Sequence, residues 1–174
     1  MIRVGGSFVW PPRFYGEGQL KKVVFVAGGV GINPFMSMLS SIKEGARRGF
    51  KVEVLYSLRD PGTKRVVEEM LFVERIKEAL QELESPPRSE ESLKLFLTRG
   101  TEERGMLDVH GLGVNFEGRR MDESDLLNAL GPVEERIGTV VYICGPPAMT
   151  DGLVRAAKKA DGMDHRHVLC EKWW

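Results

Sequence analysis

The sequence predicts an α/β fold, an open five-stranded parallel sheet flanked by helices, and three observations predict it. Short β-branched runs alternate with stretches of helical periodicity, and parallel neighbours need such crossovers, which are right-handed. Two of the apolar runs, at residues 23–27 and 139–144, end in glycine and proline turns that open into helices. No internal repeat or low-complexity tract competes with this architecture. In an open sheet of this kind, ligands bind outside the carboxyl ends of the strands, near the switch in strand order. Both turns lie at such ends, so they can line one cleft.

The 174 residues suffice for one well-packed domain. Lysine plus arginine equals aspartate plus glutamate at 25 each, so no global field attracts nucleic acid or a membrane surface. Cys144 and Cys170 do not make a disulfide framework, and a reducing, intracellular setting is the expectation. No apolar run reaches the length of a membrane span, and no targeting segment is legible. A mitochondrial address of a longer parent protein stays open.

Taken in order, residues 1–19 are rich in glycine, proline and aromatics and read as an extended arm or linker, with a short strand at 2–4. Its aromatics should pack either on the body of the chain or on a neighbouring domain. The first strand, at 23–26, leads through the glycine turn to an amphipathic helix over 34–48, with Arg47 and Arg48 in its last turn. A second strand at 51–57 turns at Asp60-Pro61-Gly62 and precedes a helix over 66–83. A third strand spans 93–98. From 99 to 120 there is no sustained period, and no element is placed there. A short helix at 122–130, the fourth strand at 139–144, a helix over 148–160 and a last strand at 167–170 complete the count.

The first turn reads Gly28-Gly29-Val30-Gly31-Ile32-Asn33-Pro34. Glycines allow positive φ and close approach of a ligand, and a helix N-terminus offers unpaired N–H groups to an anion, so a diphosphate fits this pattern. Proline stands where the usual dinucleotide motif has its third glycine, a favourable residue at a helix start. A plain connection is the competing reading. The acidic residue that would hold ribose hydroxyls is missing from the end of the second strand, where Ser57 and Arg59 stand instead. Arg59 suits an adenosine phosphate or the adenine face, or else an ordinary solvated turn. Cys144, last in its apolar strand, is expected at the lip of the cleft. Ser37, Ser40 and Ser57 lack a nucleophile-elbow context. If 165–170 is extended, His165 and His167 face away from Cys170, and no metal site is expected. Glu171 precedes Trp173 and Trp174, two large aromatics that should dock somewhere.

This set of motifs resembles the pyridine-nucleotide domain of the ferredoxin–NADP reductase-like flavoenzymes, the group that includes cytochrome b5 reductase-like proteins. The resemblance runs from about Lys21 to Trp174. It is carried by the Gly28 to Pro34 turn, Tyr56-Ser57-Leu58-Arg59, Glu69-Met70-Leu71-Phe72, Thr98-Arg99, Cys144-Gly145-Pro146-Pro147-Ala148-Met149, and Glu171 before aromatics. It implies the strand order 3-2-1-4-5. It further implies an NAD(P)-binding domain at 21–174, with 1–20 as a linker arm or the trailing edge of a FAD-binding barrel that this chain lacks.

By the same resemblance, Gly28 to Pro34 hold the cofactor, with Gly29 and Gly31 against the diphosphate. Ser57, Arg59, Thr98 and Arg99 surround the adenosine end. Cys144, Gly145, Pro146, Pro147 and Met149 lie beside the nicotinamide, and Glu171 with Trp173 near its contact with the flavin. Cys144, Glu171 and Trp173 are then the residues nearest the chemistry. The implied function is an NAD(H)-binding module that positions the nicotinamide for hydride transfer to FAD held by another domain of a FAD-dependent NAD(P)H oxidoreductase. Alone, the chain is expected neither to hold FAD nor to turn over. NADH is preferred because the aromatic partner of NADPH-selective members is missing, but Arg59 and Arg99 keep NADP(H) open. The electron acceptor is unknown, and no iron–sulfur or haem motif is present. A dinucleotide-sensing or interaction module without catalysis, and a different α/β enzyme with another phosphate ligand, are the alternatives.

Overall fold

A computed structural model describes residues 8–13, 19–45, 49–62, 69–83 and 92–172. The strands and helices follow in the order β1 (Lys22–Gly28), α1 (Asn33–Glu44), β2 (Lys51–Arg59), α2 (Val73–Leu83), β3 (Leu93–Thr98), β4 (Arg104–Val109), β5 (Leu112–Glu117), α3 (Glu123–Leu130), β6 (Thr139–Gly145), α4 (Pro147–Lys159) and β7 (Val168–Lys172). They form one sheet in the order β4-β5-β3-β2-β1-β6-β7.

The strands expected from the sequence are β1, β2, β3, β6 and β7, all parallel and in the order 3-2-1-4-5 of the resemblance. Among the described residues the sheet nevertheless has seven strands, not five. The two additional strands, β4 and β5, form an antiparallel hairpin beyond β3. Val109 pairs with Leu112 across a two-residue turn, His110 and Gly111, with φ of 51° and 82°. Positive φ at both central residues is the hairpin geometry that matches strand twist. The Asp108 side chain accepts the Gly111 N–H at 2.7 Å and fixes the turn.

Every residue of β1 and of β6 is buried, as central strands covered on both faces require. The side-chain period of two divides them. Val23, Phe25 and Ala27 meet Phe35, Leu39 and Ile42 of α1 and Ile76 and Leu80 of α2 in one core cluster. Val24 and Val26 join Leu126 and Leu130 of α3 and Leu153 and Ala157 of α4 in the other. Each such fully buried side chain contributes about 1.5–3 kcal/mol, which is what holds the central strands and their carboxyl ends in fixed register.

Several boundaries differ from those expected. Helix α1 ends at Glu44, capped by Gly45, and residues 46–48, with Arg47 and Arg48, lie outside the described set. Helix α2 begins at Val73 rather than at 66. Phe72 has φ 61°, which no helix interior permits, and the residues before it form a turn closed by Val73 N–H to the Met70 carbonyl at 3.1 Å. Residues 63–68 lie outside the described set. Asp122 caps α3, its side chain accepting from the Ser124 and Asp125 N–H groups while Asp125 accepts the Asp122 N–H in return. Residues His165–His167 are a 3-10 turn and not part of β7, so the strand alternation expected for the histidines does not apply. His165 is exposed and His167 is buried.

The described part of the arm packs on the body of the chain. Phe8 stands edge-on to Tyr142 at 5.4 Å and against Phe35 at 5.7 Å, and Trp10 lies 5.6 Å from Phe50. The Tyr142 hydroxyl donates to the Val9 carbonyl at 2.7 Å. The expected strand at 2–4 lies outside the described residues. Among the described residues, no helix is long and apolar enough to cross a membrane.

Candidate functional site

The site is built on the pairing of β1 with β6. Ala27 lies opposite Cys144, so the two turns that follow leave the sheet side by side. After Gly28 the chain makes a 3-10 turn over Gly29–Ile32 and enters α1, with Pro34 in the helix's first turn and no side-chain cap. After Gly145 the chain passes Pro146 and enters α4, again without a side-chain cap. Thr150 ties this second turn down, its hydroxyl donating to the Gly145 carbonyl at 3.2 Å.

The glycines divide into two kinds. A Cβ on Gly31 would lie 2.3 Å from the Cys144 carbonyl oxygen, and one on Gly28 would lie 2.8 Å from Pro146 Cδ. A Cβ on Gly145 would meet Met149 Cε at 2.6 Å and Gly28 Cα at 3.1 Å. These three are glycine because the turns touch. Gly29 is different: its φ is +53° and a Cβ there would have no atom within 4 Å. The sequence reading set both Gly29 and Gly31 against a diphosphate, but only Gly29 faces open space. Val30 beside it is 57% exposed, an uncommon degree for valine, and Asn33 is exposed, while Ile32 is buried. Pro146, Pro147 and Ala148 are exposed, and Met149 is half-buried.

Cys144 is fully buried, not at the lip where the sequence suggested it would be. As the next-to-last residue of β6 it turns its side chain into the α1-side core, and its carbonyl meets Gly31. Glu171 sits opposite Cys144 on β7 and is exposed, and Trp173 lies outside the described residues. Lys172 is tied to Asp151 of α4 at 2.5 Å, and that contact holds the lysine above its ordinary pKa. The end of β7 is thereby fastened beside the second turn.

At the other side, Ser57 of β2 pairs with Gly28, and Arg59 pairs with Thr98 of β3. Ser57 and Thr98 are half-buried, while Arg59 and Arg99 are exposed. The five parallel strands point the same way, so their carboxyl ends form a row from Arg99 to Glu171, about 19 Å across at the usual strand spacing. Apart from Trp173, every residue proposed from the sequence falls in or beside this row, with Cys144 contributing its backbone.

No family model matches the chain. The chain is 29% identical over 182 residues to Oxidoreductase NAD-binding domain-containing protein 1 of Bos taurus, and 26% identical over 187 residues to that of Homo sapiens. Each alignment covers 99% of this chain, with 52% and 51% of the relative. The chain thus spans about half the length of the curated relatives it matches. Among solved structures, the reductase GcoB of Amycolatopsis superposes with a TM-score of 0.64 at 20% identity, covering 96% of this chain and 41% of that one. The Flavohem-like-FAD/NAD binding domain of nitric oxide dioxygenase from Vibrio cholerae gives 0.60 at 18% identity, covering 92% and 54%.

The fold is that of a ferredoxin reductase-like NAD-binding domain.

One residue at the edge of this sheet escaped the sequence reading. Asp60 was legible only as part of a turn, yet it is 7% exposed and joins the ends of β2 and β3. Its side chain accepts the Gly62 N–H at 2.9 Å, and its own N–H donates to the Thr98 carbonyl at 2.9 Å. The signal for it was the Asp-Pro-Gly sequence, since aspartate closes such turns through its side chain.

A separate cavity of about 770 Å³ lies away from this edge, between α3 and the β4–β5 hairpin, with Leu55, Met106 and Phe116 among its lining. Lys94 there contacts both Glu117 and Asp125, and Arg119 grips Asp125 through two bonds of 2.7 Å. These are ties between the hairpin, β3 and α3. Among the described residues, no group of three or more His, Cys, Asp or Glu side chains is placed to hold a metal ion.

Proposed function

We propose that this chain is the NAD(H)-binding module of a flavin-dependent oxidoreductase. The observation that carries the proposal is the contact of the two carboxyl-edge turns, with Gly29 alone left open beside it. The open, positive-φ glycine and the uncapped start of α1 fit a diphosphate, because backbone N–H groups are presented there without a Cβ in the way. Arg59 and Arg99 fit the adenosine end, and Gly145, Pro146, Pro147 and Met149 fit the nicotinamide. The nicotinamide supplies a hydride when bound, and FAD held by a separate domain is its acceptor.

The chain's own residues then orient and shield. The Gly28–Gly145 contact sets the depth of the cleft, and Pro146 and Met149 form an apolar wall. Glu171 lies one strand away, where the flavin would approach. Close approach at fixed orientation is the protein's main contribution to a transfer between cofactors. Buried Cys144 is not placed to react, and we assign it to shaping the turn through its carbonyl. NADH is our preferred nucleotide, on the resemblance described above.

Calorimetric titration of the chain with NADH tests the first half, and absence of binding would reject it. Anaerobic titration of a flavin-containing parent protein with NADH tests the second. The flavin absorbance should bleach, and a flavin that stays oxidised sinks the oxidoreductase role.

A further inference from the structure

Helices α1 and α2 cover one face of the sheet as far as the hairpin, where Leu107 and Val109 of β4 and Val114 of β5 join their core cluster. On the other face, the cluster under α3 and α4 takes no residue from β4 or β5. The side-chain period of two turns Arg104 and Met106 of β4, with Asn115 and Glu117 of β5, toward that second face. These four line the cavity of about 770 Å³, and α3 supplies Asn128 and Ala129 from the other side. The volume is that of a small-molecule site. Its apolar surface includes Leu55 and Met106, and Met106 is 63% exposed. Lys94, also in the lining, lies four residues before Thr98 at the carboxyl end of β3. The cavity therefore sits about 13 Å back from the row of strand ends.

The charges of the lining are matched within the fold, with one exception. Glu53 pairs with Lys22 at 2.6 Å. Lys94 contacts Glu117 and Asp125, and Arg119 contacts the same two carboxylates. The Phe96 ring backs both cations, with Lys94 Nζ at 5.3 Å and the Arg119 guanidinium carbon at 5.4 Å from its centre. Arg104 is the exception. It stands directly across the ladder from Glu117, yet that carboxylate is turned to Lys94 and Arg119. Among the described residues, the Arg104 guanidinium has no ion pair or hydrogen bond, and neither have the side-chain amides of Asn115 and Asn128. One unpaired cation, two amides able to donate and accept, and apolar surface thus border one space.

We propose that this cavity is a second ligand site, for a small organic acid with one carboxylate on an apolar body. The Arg104 guanidinium receives the carboxylate through paired N–H donors. The body lies against Leu55 and Met106, and the amides of Asn115 and Asn128 take its polar substituents. A dinucleotide does not suit the space, because its two phosphates would meet a single unpaired cation. The site stands independently of the nucleotide reading above.

The probe is octanoate, titrated into the chain isotope-labelled at its methionine methyl groups and followed by NMR. Met106 lines the cavity, whereas Met149 lies against Gly28 and Gly145 at the carboxyl edge, so the two methyl signals report the two places separately. Met106→Leu and Met149→Leu assign them. Octanoate should shift the Met106 signal saturably and leave that of Met149 in place. Octanol, with the same body and no charge, should bind wild type about tenfold more weakly, the scale of one charge-assisted contact. Arg104→Gln should weaken octanoate by the same factor. Arg104 is exposed on an outer strand, so this variant should melt with wild type, and the comparison of octanoate with octanol needs no variant at all. Octanoate that leaves the Met106 signal unmoved, or that shifts every methionine signal alike, overturns the site. Octanol that binds as tightly as octanoate, or an Arg104→Gln chain that binds octanoate as wild type does, overturns the carboxylate assignment and the proposal with it.

Discussion

Replacing Gly31 by alanine puts the contact between the two turns under a direct load. The new Cβ would lie 2.3 Å from the Cys144 oxygen, 2.6 Å from its carbonyl carbon and 2.9 Å from the Gly145 nitrogen. All three are backbone atoms of a fully paired central strand, so no flexible side chain can yield. Ordinary contact needs about 3.5 Å, so the turns must separate by about 1 Å, and overpacking of this kind costs about 1–3 kcal/mol. For a chain of this size 1 kcal/mol is worth about 2–4 °C, so the melting temperature should fall by about 6 °C at a cost of 2 kcal/mol. NADH binding should weaken at the same time, because the wall at Pro146 and Met149 moves relative to Gly29. Gly29→Ala is the matched control: its Cβ meets nothing within 4 Å, so it pays only for φ +53°, about 1 kcal/mol. It should therefore melt higher than Gly31→Ala, yet lose at least as much affinity, since its methyl group projects into the proposed diphosphate position. Differential scanning fluorimetry and NADH calorimetry on the two variants separate these effects. A Gly31→Ala protein that melts with wild type would refute the close approach of the turns, and with it the division of labour among the glycines.

Tyr142→Phe removes the bond to the Val9 carbonyl and should cost about 1 kcal/mol. Limited proteolysis should then cut the arm near residues 8–13 faster, and an unchanged cleavage rate would show that the aromatic contacts alone retain it. His167 is 8% exposed, and burial holds its imidazole below the ordinary value near 6.5, with Arg166 adding to this and Asp164 opposing it. The unfolded chain therefore takes up this proton first as pH falls. Stability from this residue is intact above about 6.5 and drains away between that value and the lower folded pKa. His167→Gln should flatten the melting-temperature profile between pH 7 and 5, and a profile parallel to wild type would rule this contribution out.

The central strands were legible because they are buried on both faces and carry that burial in composition. Val23-Val24-Phe25-Val26 and Val140-Val141-Tyr142-Ile143 admit few other structures. The β4–β5 hairpin was illegible for the opposite reason. Its buried side chains are Leu107, Val109, Val114 and Phe116, two per strand, and its glycines interrupt the pattern. Gly105 is covered by the Phe116 ring across the ladder and Gly113 by Met106, pairings that exist only once the strands have met. The late start of α2 was hidden in the same way, since an apolar helical period ran through Phe72 and only the backbone reveals its positive φ.

The candidate site was legible as a list of turns and not as a set of contacts. A glycine before a helix is compatible with ligand approach, with positive φ and with packing, and sequence does not separate the three. The register does: once Ala27 is set opposite Cys144, Gly31 must face the Cys144 carbonyl, and Gly29 is left to the solvent. The same register explains Glu171. Cys144 opposite Glu171 on β7, with Lys172 tied to Asp151 on the helix that leaves the second turn, brings the end of the last strand to the edge that the two glycine turns define. Glu171, which the resemblance sets near the contact of nicotinamide and flavin, is thus part of the same row of strand ends. Its place there depends on the sheet being parallel from β3 to β7. An antiparallel β7 would have carried it to the far edge, away from the turns.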